Sequence, residues 1–209
     1  MSRIGIFGGT FDPIHVAHLI VAERVASERD LARVLFIPAR EPPHKRRSPV
    51  ASGPDRLRMV ELATAGNPAF EALPIELERE GPSYTLMTVW ELRRRMPADE
   101  LFLILGGDSV RDVGSWWRAE ELVGEVDVIG VDRPGAMLDD CIDVLGKRFG
   151  AGWAERTRDL HVTVPLLDVS ATDIRARIRA GLSVRYLVPE PVLQCIAERG
   201  LYRSDAGGH

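Results

Sequence analysis

Residues 101–105, LFLIL, form an apolar run with no polar residue to turn toward solvent on either side. A strand that buries both faces needs cover above and below, which is the situation of a central strand in a parallel sheet. The rest of the chain supplies that cover in alternation. Apolar runs at 3–7, 34–38, 70–77, 126–131 and 160–166 read as further strands. Between them lie amphipathic stretches at 16–29, at 55–65 with Asp55 as the cap, from Ser83 or Thr85 to Met96, and in part at 109–122. Helices at 172–180 and 191–198 finish the pattern. Strands separated by helices predict an α/β fold, a doubly wound parallel sheet with a small C-terminal helical part. The length of 209 residues suits one domain, 1–203, with a polar, glycine-rich tail at 204–209 expected to be disordered.

Composition narrows the function. No apolar stretch is long enough for a membrane span, and glycines and Asp12 interrupt the N-terminus before a signal core can form. Cys141 and Cys195 belong to no C-x-x-C pair, so the expected setting is the reducing cytoplasm. A formal net charge of −4 argues against a nucleic-acid binder but not against a small anionic ligand, whose site depends on local fields.

In such sheets ligands bind beyond the carboxyl ends of the strands. The first strand runs there into GGTFDPIHVAH, residues 8–18, which is neither a Walker loop nor a G-x-G-x-x-G fingerprint. Gly8 and Gly9 let backbone N–H groups approach an anion at a helix start, and His15 and His18 share a helix face. The alternatives are a plain tight turn, or a metal site that lacks its third ligand. Far along the chain, DVSATDIRARIR sets Ser170 and Thr172 at a helix start with Arg175 one turn in. That is either a second anion site or an N-cap followed by a solvated arginine face.

Other candidates lie between these two. Lys45 sits on the proline-rich, basic loop 39–54, and Ser83, Tyr84 and Thr85 open a helix. Asp108, in GGDSV after the LFLIL strand, can bind a ribose hydroxyl or cap a helix. Trp116, next to Trp117, is a stacking platform or core, and Arg133 a phosphate contact or a turn residue.

Taken together these residues resemble the bacterial nicotinate mononucleotide adenylyltransferases, within the nucleotidyltransferase superfamily marked by H-x-G-H. GGTFDPIHVAH and VSATDIR carry the superfamily likeness. PPHK at 42–45, SYT at 83–85, GGD with Trp116 eight residues after Asp108, RPG at 133–135 and YLVPEPV carry the narrower one. The likeness runs from about Ile4 to Tyr202, with Ala17 in place of the motif glycine and Ala171 in place of its second serine.

The resemblance implies a Rossmann-like nucleotidyltransferase fold and adenylyl transfer from ATP to nicotinate mononucleotide, with Mg2+ accompanying ATP and no protein metal site. It implies that His15 and His18 bind the ATP phosphates as charge moves to pyrophosphate, with Gly8, Gly9, Thr10 and Phe11 forming the loop. Ser170, Thr172 and Arg175 would hold the outer phosphates, Asp108 the ribose, and Gly106 would leave room for adenosine. On the acceptor side it implies Trp116 stacked on the nicotinate ring, Ser83, Tyr84 and Thr85 around its carboxylate, and Lys45 and Arg133 on its phosphate. Either a monomer or a homo-oligomer is compatible. The competing readings are a transferase preferring nicotinamide mononucleotide, pantetheine-phosphate adenylyl transfer, a non-catalytic nucleotide sensor, and a dinucleotide-dependent oxidoreductase.

Overall fold

The structure, a computed structural model, describes residues 1–42, 49–132, 138–165 and 167–203. Six strands form one parallel sheet: β1 (Arg3–Gly9), β2 (Arg33–Pro38), β3 (Phe70–Ala72), β4 (Glu100–Gly106), β5 (Asp127–Asp132) and β6 (Val162–Thr163). Their order is β3-β2-β1-β4-β5-β6. The chain therefore winds outward from β1 in one direction, returns, and winds outward from β4 in the other. The switch point lies between β1 and β4, and their carboxyl ends open a crevice there.

Burial explains the LFLIL run. Phe102 and Ile104 enter a core with Val34, Phe36 and Ile129 on one side of the sheet. Leu101, Leu103 and Leu105 enter a second core on the other side with Ile4, Ile6 and Leu35. Helices α1 (Val16–Glu28) and α2 (Gly53–Thr64) cover the first core, with α8 (Ala171–Arg179) and α9 (Glu190–Glu198) beside them. The second is covered by α3 (Thr85–Arg95), α4 (Gly107–Asp112), α5 (Ala119–Glu125), α6 (Asp139–Phe149) and α7 (Ala151–Asp159). A single 3-10 turn, Val113–Ser115, joins α4 toward α5.

Several expectations need correction. The strand expected at 70–77 stops at Ala72: Leu73 N–H still reaches the Phe36 carbonyl at 2.9 Å, but Pro74 has no N–H to continue the ladder. The strand expected at 160–166 contracts to Val162–Thr163, just before Pro165, and Leu166 lies outside the described residues. The cap of α2 is Ser52, whose hydroxyl accepts Asp55 N–H at 3.2 Å, and Asp55 sits in the first turn instead. The cap position of α3 is Tyr84, not Ser83 or Thr85. Helices α6 and α7 fill 139–159, where no element is expected. Their signal was present: α6 opens on Asp139 and Asp140 and closes on Lys147 and Arg148, the charge order a helix dipole favours. The tail 204–209 lies outside the described residues.

Candidate active site

The phosphate-loop segment starts where β1 ends and α1 has yet to begin. Phe11, at φ +47°, folds its buried ring back over Gly9, where a Cβ would stand 2.9 Å from the ring. Any side chain at residue 9 would collide with that ring. Gly8 and Gly106, at the carboxyl ends of neighbouring strands, face open space instead, so the crevice floor between them is bare backbone.

His15, the cap of α1, and His18, in its first turn, follow the loop with their rings stacked at 3.7 Å. Phe11 braces the His18 ring edge-on at 5.1 Å. The backbone N–H of His15 donates to His18 Nδ1 at 3.2 Å. That bond makes Nδ1 the acceptor, so neutral His18 carries its proton on Nε2. His15 is 6% exposed, and its Nδ1 is buried with no hydrogen-bond partner among the described residues.

Burial also pushes the His15 pKa down to about 4. Because the folded value lies below the usual one near 6.5, the unfolded chain binds the extra proton between those two pH values. Stability should therefore be intact above pH 6.5 and fall as pH drops toward 4, by an amount on the order of 3 kcal/mol. Thermal melts of wild type and His15→Asn across that range test this: the variant should lose much of the acid-side slope.

The structure brings the distant VSATDIR segment to the loop. Ser170 caps α8, its hydroxyl accepting Asp173 N–H at 3.1 Å. Arg175 Nη1 donates to the Asp12 carbonyl at 2.6 Å, and Nη2 to Thr172 Oγ1 at 3.3 Å. A second arginine, absent from the sequence expectations, lies beneath. Arg56, on α2 and 2% exposed, donates to the carbonyls of Thr10 at 2.8 Å, Ala39 at 2.7 Å and Ala51 at 3.2 Å. Its signal was a cation in the opening turns of a helix, where the dipole disfavours one. Asp12 is the carboxylate between these two guanidinium groups. One negative and two positive charges leave the loop with net positive character, suited to a polyanion.

On the other side of the crevice a cavity of about 290 Å³ is lined by Gly8, Thr10, Tyr84, Thr85, Trp116 and Trp117, among others. Trp117 stacks on Tyr84 at 4.8 Å, and the Arg118 guanidinium lies over Trp117 and Trp90. The wall is thus two adjacent indoles. The Tyr84 side chain does not cap α3, and Met87 N–H bonds the Tyr84 carbonyl at 3.1 Å, which leaves the N–H groups of Thr85 and Leu86 without a partner among the described residues. The Ser83 hydroxyl is used within the protein, accepting the N–H groups of Arg40 at 2.9 Å and Glu41 at 3.3 Å. Glu76 lies buried beneath, accepting the Thr88 hydroxyl at 2.7 Å, and burial holds its carboxyl above the usual range. Asp108 is not the cap of α4, which is Gly106. It lies in the first turn, with its side chain 99% exposed and 2.8 Å from Arg111.

Lys45 and Arg133 lie outside the described residues. Among the described residues no group of three His, Cys, Asp or Glu side chains could hold a metal ion, and no helix is long and apolar enough to cross a membrane.

Residues 6–177 match the cytidylyltransferase-like family. A probable nicotinate-nucleotide adenylyltransferase of Rubrobacter xylanophilus is 46% identical over 207 residues, covering 98% of this chain and 94% of the relative. One of Geobacillus thermodenitrificans is 44% identical over 202 residues, covering 97% and 87% respectively. Among solved structures, Plasmodium falciparum nicotinic acid mononucleotide adenylyltransferase complexed with NaAD superposes with a TM-score of 0.73 at 18% identity, over 97% of this chain and 98% of that one. At that identity the likeness is one of fold.

Proposed function

The chain belongs to the cytidylyltransferase-like family, as one of its nicotinate-nucleotide adenylyltransferases, and we propose that the two halves of the crevice divide the reaction between them. The enzyme transfers the adenylyl group of ATP to nicotinate mononucleotide, giving nicotinate adenine dinucleotide and pyrophosphate in NAD biosynthesis. The acceptor phosphate attacks the α-phosphorus of ATP as the bond to the β-phosphate oxygen breaks. No covalent enzyme intermediate is needed, so catalysis consists of positioning and of charge stabilisation on the departing pyrophosphate.

Gly8, Gly9, Thr10 and Phe11 receive the triphosphate, with Ser170, Thr172 and Arg175 on its outer phosphates. His18 directs Nε2–H, and His15 its unpartnered nitrogen, at the oxygens where charge accumulates. Gly106 leaves room for adenosine, and the exposed Asp108 meets its ribose. In the cavity Trp116 stacks on the nicotinate ring, while the uncapped start of α3 at Tyr84 and Thr85 takes its carboxylate. Ser83 supports that start from within the fold, and Lys45 and Arg133 hold the mononucleotide phosphate. Nucleotidyltransferases generally work with a divalent metal. Magnesium would arrive with the ATP substrate, carried by phosphate oxygens and water, and would offset charge on the phosphates.

The observation that carries this reading is the 2.6 Å bond from Arg175 to the Asp12 carbonyl, which joins two segments 163 residues apart around one crevice. An uncapped helix start favours an acid over an amide, which would also need an acceptor. Pyrophosphate release should therefore be fastest with nicotinate mononucleotide, and slow with nicotinamide mononucleotide or phosphopantetheine. Equal rates with acid and amide would refute the carboxylate assignment, and no release with the acid would refute the whole reading.

A further inference from the structure

The Asp12 carboxylate is 4% exposed and accepts three hydrogen bonds from two places in the chain. Val50 N–H reaches Oδ2 at 2.8 Å, and Ala51 N–H reaches Oδ1 at 3.0 Å. The third donor is the Tyr202 hydroxyl, which meets Oδ1 at 2.8 Å from 190 residues away. Arg175 joins the same residue from the other side, 3.9 Å from Oδ2 as well as on the backbone carbonyl.

Tyr202 is put there at some cost. Beyond α9 the chain turns through Gly200 at φ +60° and Tyr202 at φ +63°, a region a tyrosine rarely occupies. The turn is held by Leu201 N–H on the Ile196 carbonyl at 3.0 Å, and α9 is tied to α2 by Arg199 and Asp55 at 2.5 Å. The ring is 5% exposed, with its hydroxyl 4.0 Å from Met59 Sδ. Burial and the adjoining Asp12 charge push the phenol far above its usual pKa, so it stays a proton donor. A left-handed tyrosine that buries a hydroxyl against a carboxylate is a strained placement held by its surroundings.

We propose that Tyr202 is a positioning residue for adenylyl transfer: its hydroxyl fixes the Asp12 carboxylate, and Asp12 fixes Arg175 and residues 50–51 against the phosphate loop. Without the phenol hydroxyl, the carboxylate keeps Val50 N–H on Oδ2 and Ala51 N–H on Oδ1, and the negative charge no longer drawn by Tyr202 pulls more strongly on Arg175. A guanidinium paired more closely with Asp12 is less available to an outer phosphate. The last turn of the described chain thereby sets the charge presented to ATP. The proposal rests on the adenylyl-transfer reading for its kinetic arm only.

The test compares wild type and Y202F, which keeps the ring and its packing. Calorimetry with a non-hydrolysable α,β-methylene analogue of ATP and with AMP separates the outer phosphates from the rest of the nucleotide. Y202F should bind the ATP analogue about ten-fold more weakly, the order carried by a hydrogen bond to a charged group, and AMP as wild type does. Turnover should fall in step while the acceptor KM holds. Equal weakening of both nucleotides, or of neither, overturns the proposal. R175K alone supplies a reading that does not depend on how Y202F folds, and the double variant then tests the coupling. The single variant should reduce the ATP-over-AMP preference, and Y202F added to it should cost little more; an unchanged preference in R175K, or full additivity, also overturns the proposal. If wild type binds ATP but releases no pyrophosphate with the acceptor, the functional reading fails while the binding comparison still decides the role of Tyr202.

Discussion

His18→Ala should lower kcat by about 10²–10³-fold, the loss typical of one donor aimed at developing charge, with the acceptor KM little changed. The bond from His15 N–H to His18 Nδ1 leaves Nε2 as the donor. That donor gains value only as charge moves from the α-phosphate toward pyrophosphate, so its loss falls on turnover rather than on ground-state affinity. The side chain is partly exposed, so the melting temperature should stay near that of wild type. His18→Asn, which retains an N–H donor on a shorter side chain, should recover part of the rate. A large rise in acceptor KM at unchanged kcat would assign His18 to the acceptor instead.

The same loop shows what a sequence can and cannot disclose. The order of strands and helices, the bare glycines at the strand ends and the paired histidines are local patterns, set by spacing and residue type within a dozen positions. The edge strands were harder to read. Their apolar residues continue to 77 and 166, but pairing ends where Pro74 and Pro165 remove a donor. Ser83 and Tyr84 illustrate another limit: a hydroxyl next to a helix start looks like a cap, yet Ser83 turns to Arg40 and Glu41, more than 40 residues back. What the sequence hides most completely is the support beneath the phosphate loop. Arg56 and Tyr202 reach residues 10–12 across separations of 46 and 190 residues, and each is an ordinary helix or tail residue until the sheet brings it there. Arg175, 163 residues from Asp12, is legible through VSATDIR, though its contact with the Asp12 carbonyl is not.

Arg56→Met should be the most damaging single change to stability, at about 3 kcal/mol or more. Methionine fills a similar volume, so the cost is not a cavity. It comes from three buried carbonyls, of Thr10, Ala39 and Ala51, that lose their shared donor, and from Asp12, which loses a buried cation nearby. At this chain length such a loss lowers the melting temperature by about 10 °C. Arg56→Lys keeps the charge but cannot serve three acceptors from one planar fork, so it should fall between the two. The three carbonyls belong to the phosphate loop, the end of β2 and the segment that Asp12 holds at Ala51, so Arg56 ties together the strand ends on which the crevice depends. Its removal should therefore weaken ATP binding even at temperatures where the protein remains folded. A melting temperature equal to that of wild type would show that water or a neighbouring side chain satisfies those carbonyls, and that the loop is held by Asp12 alone.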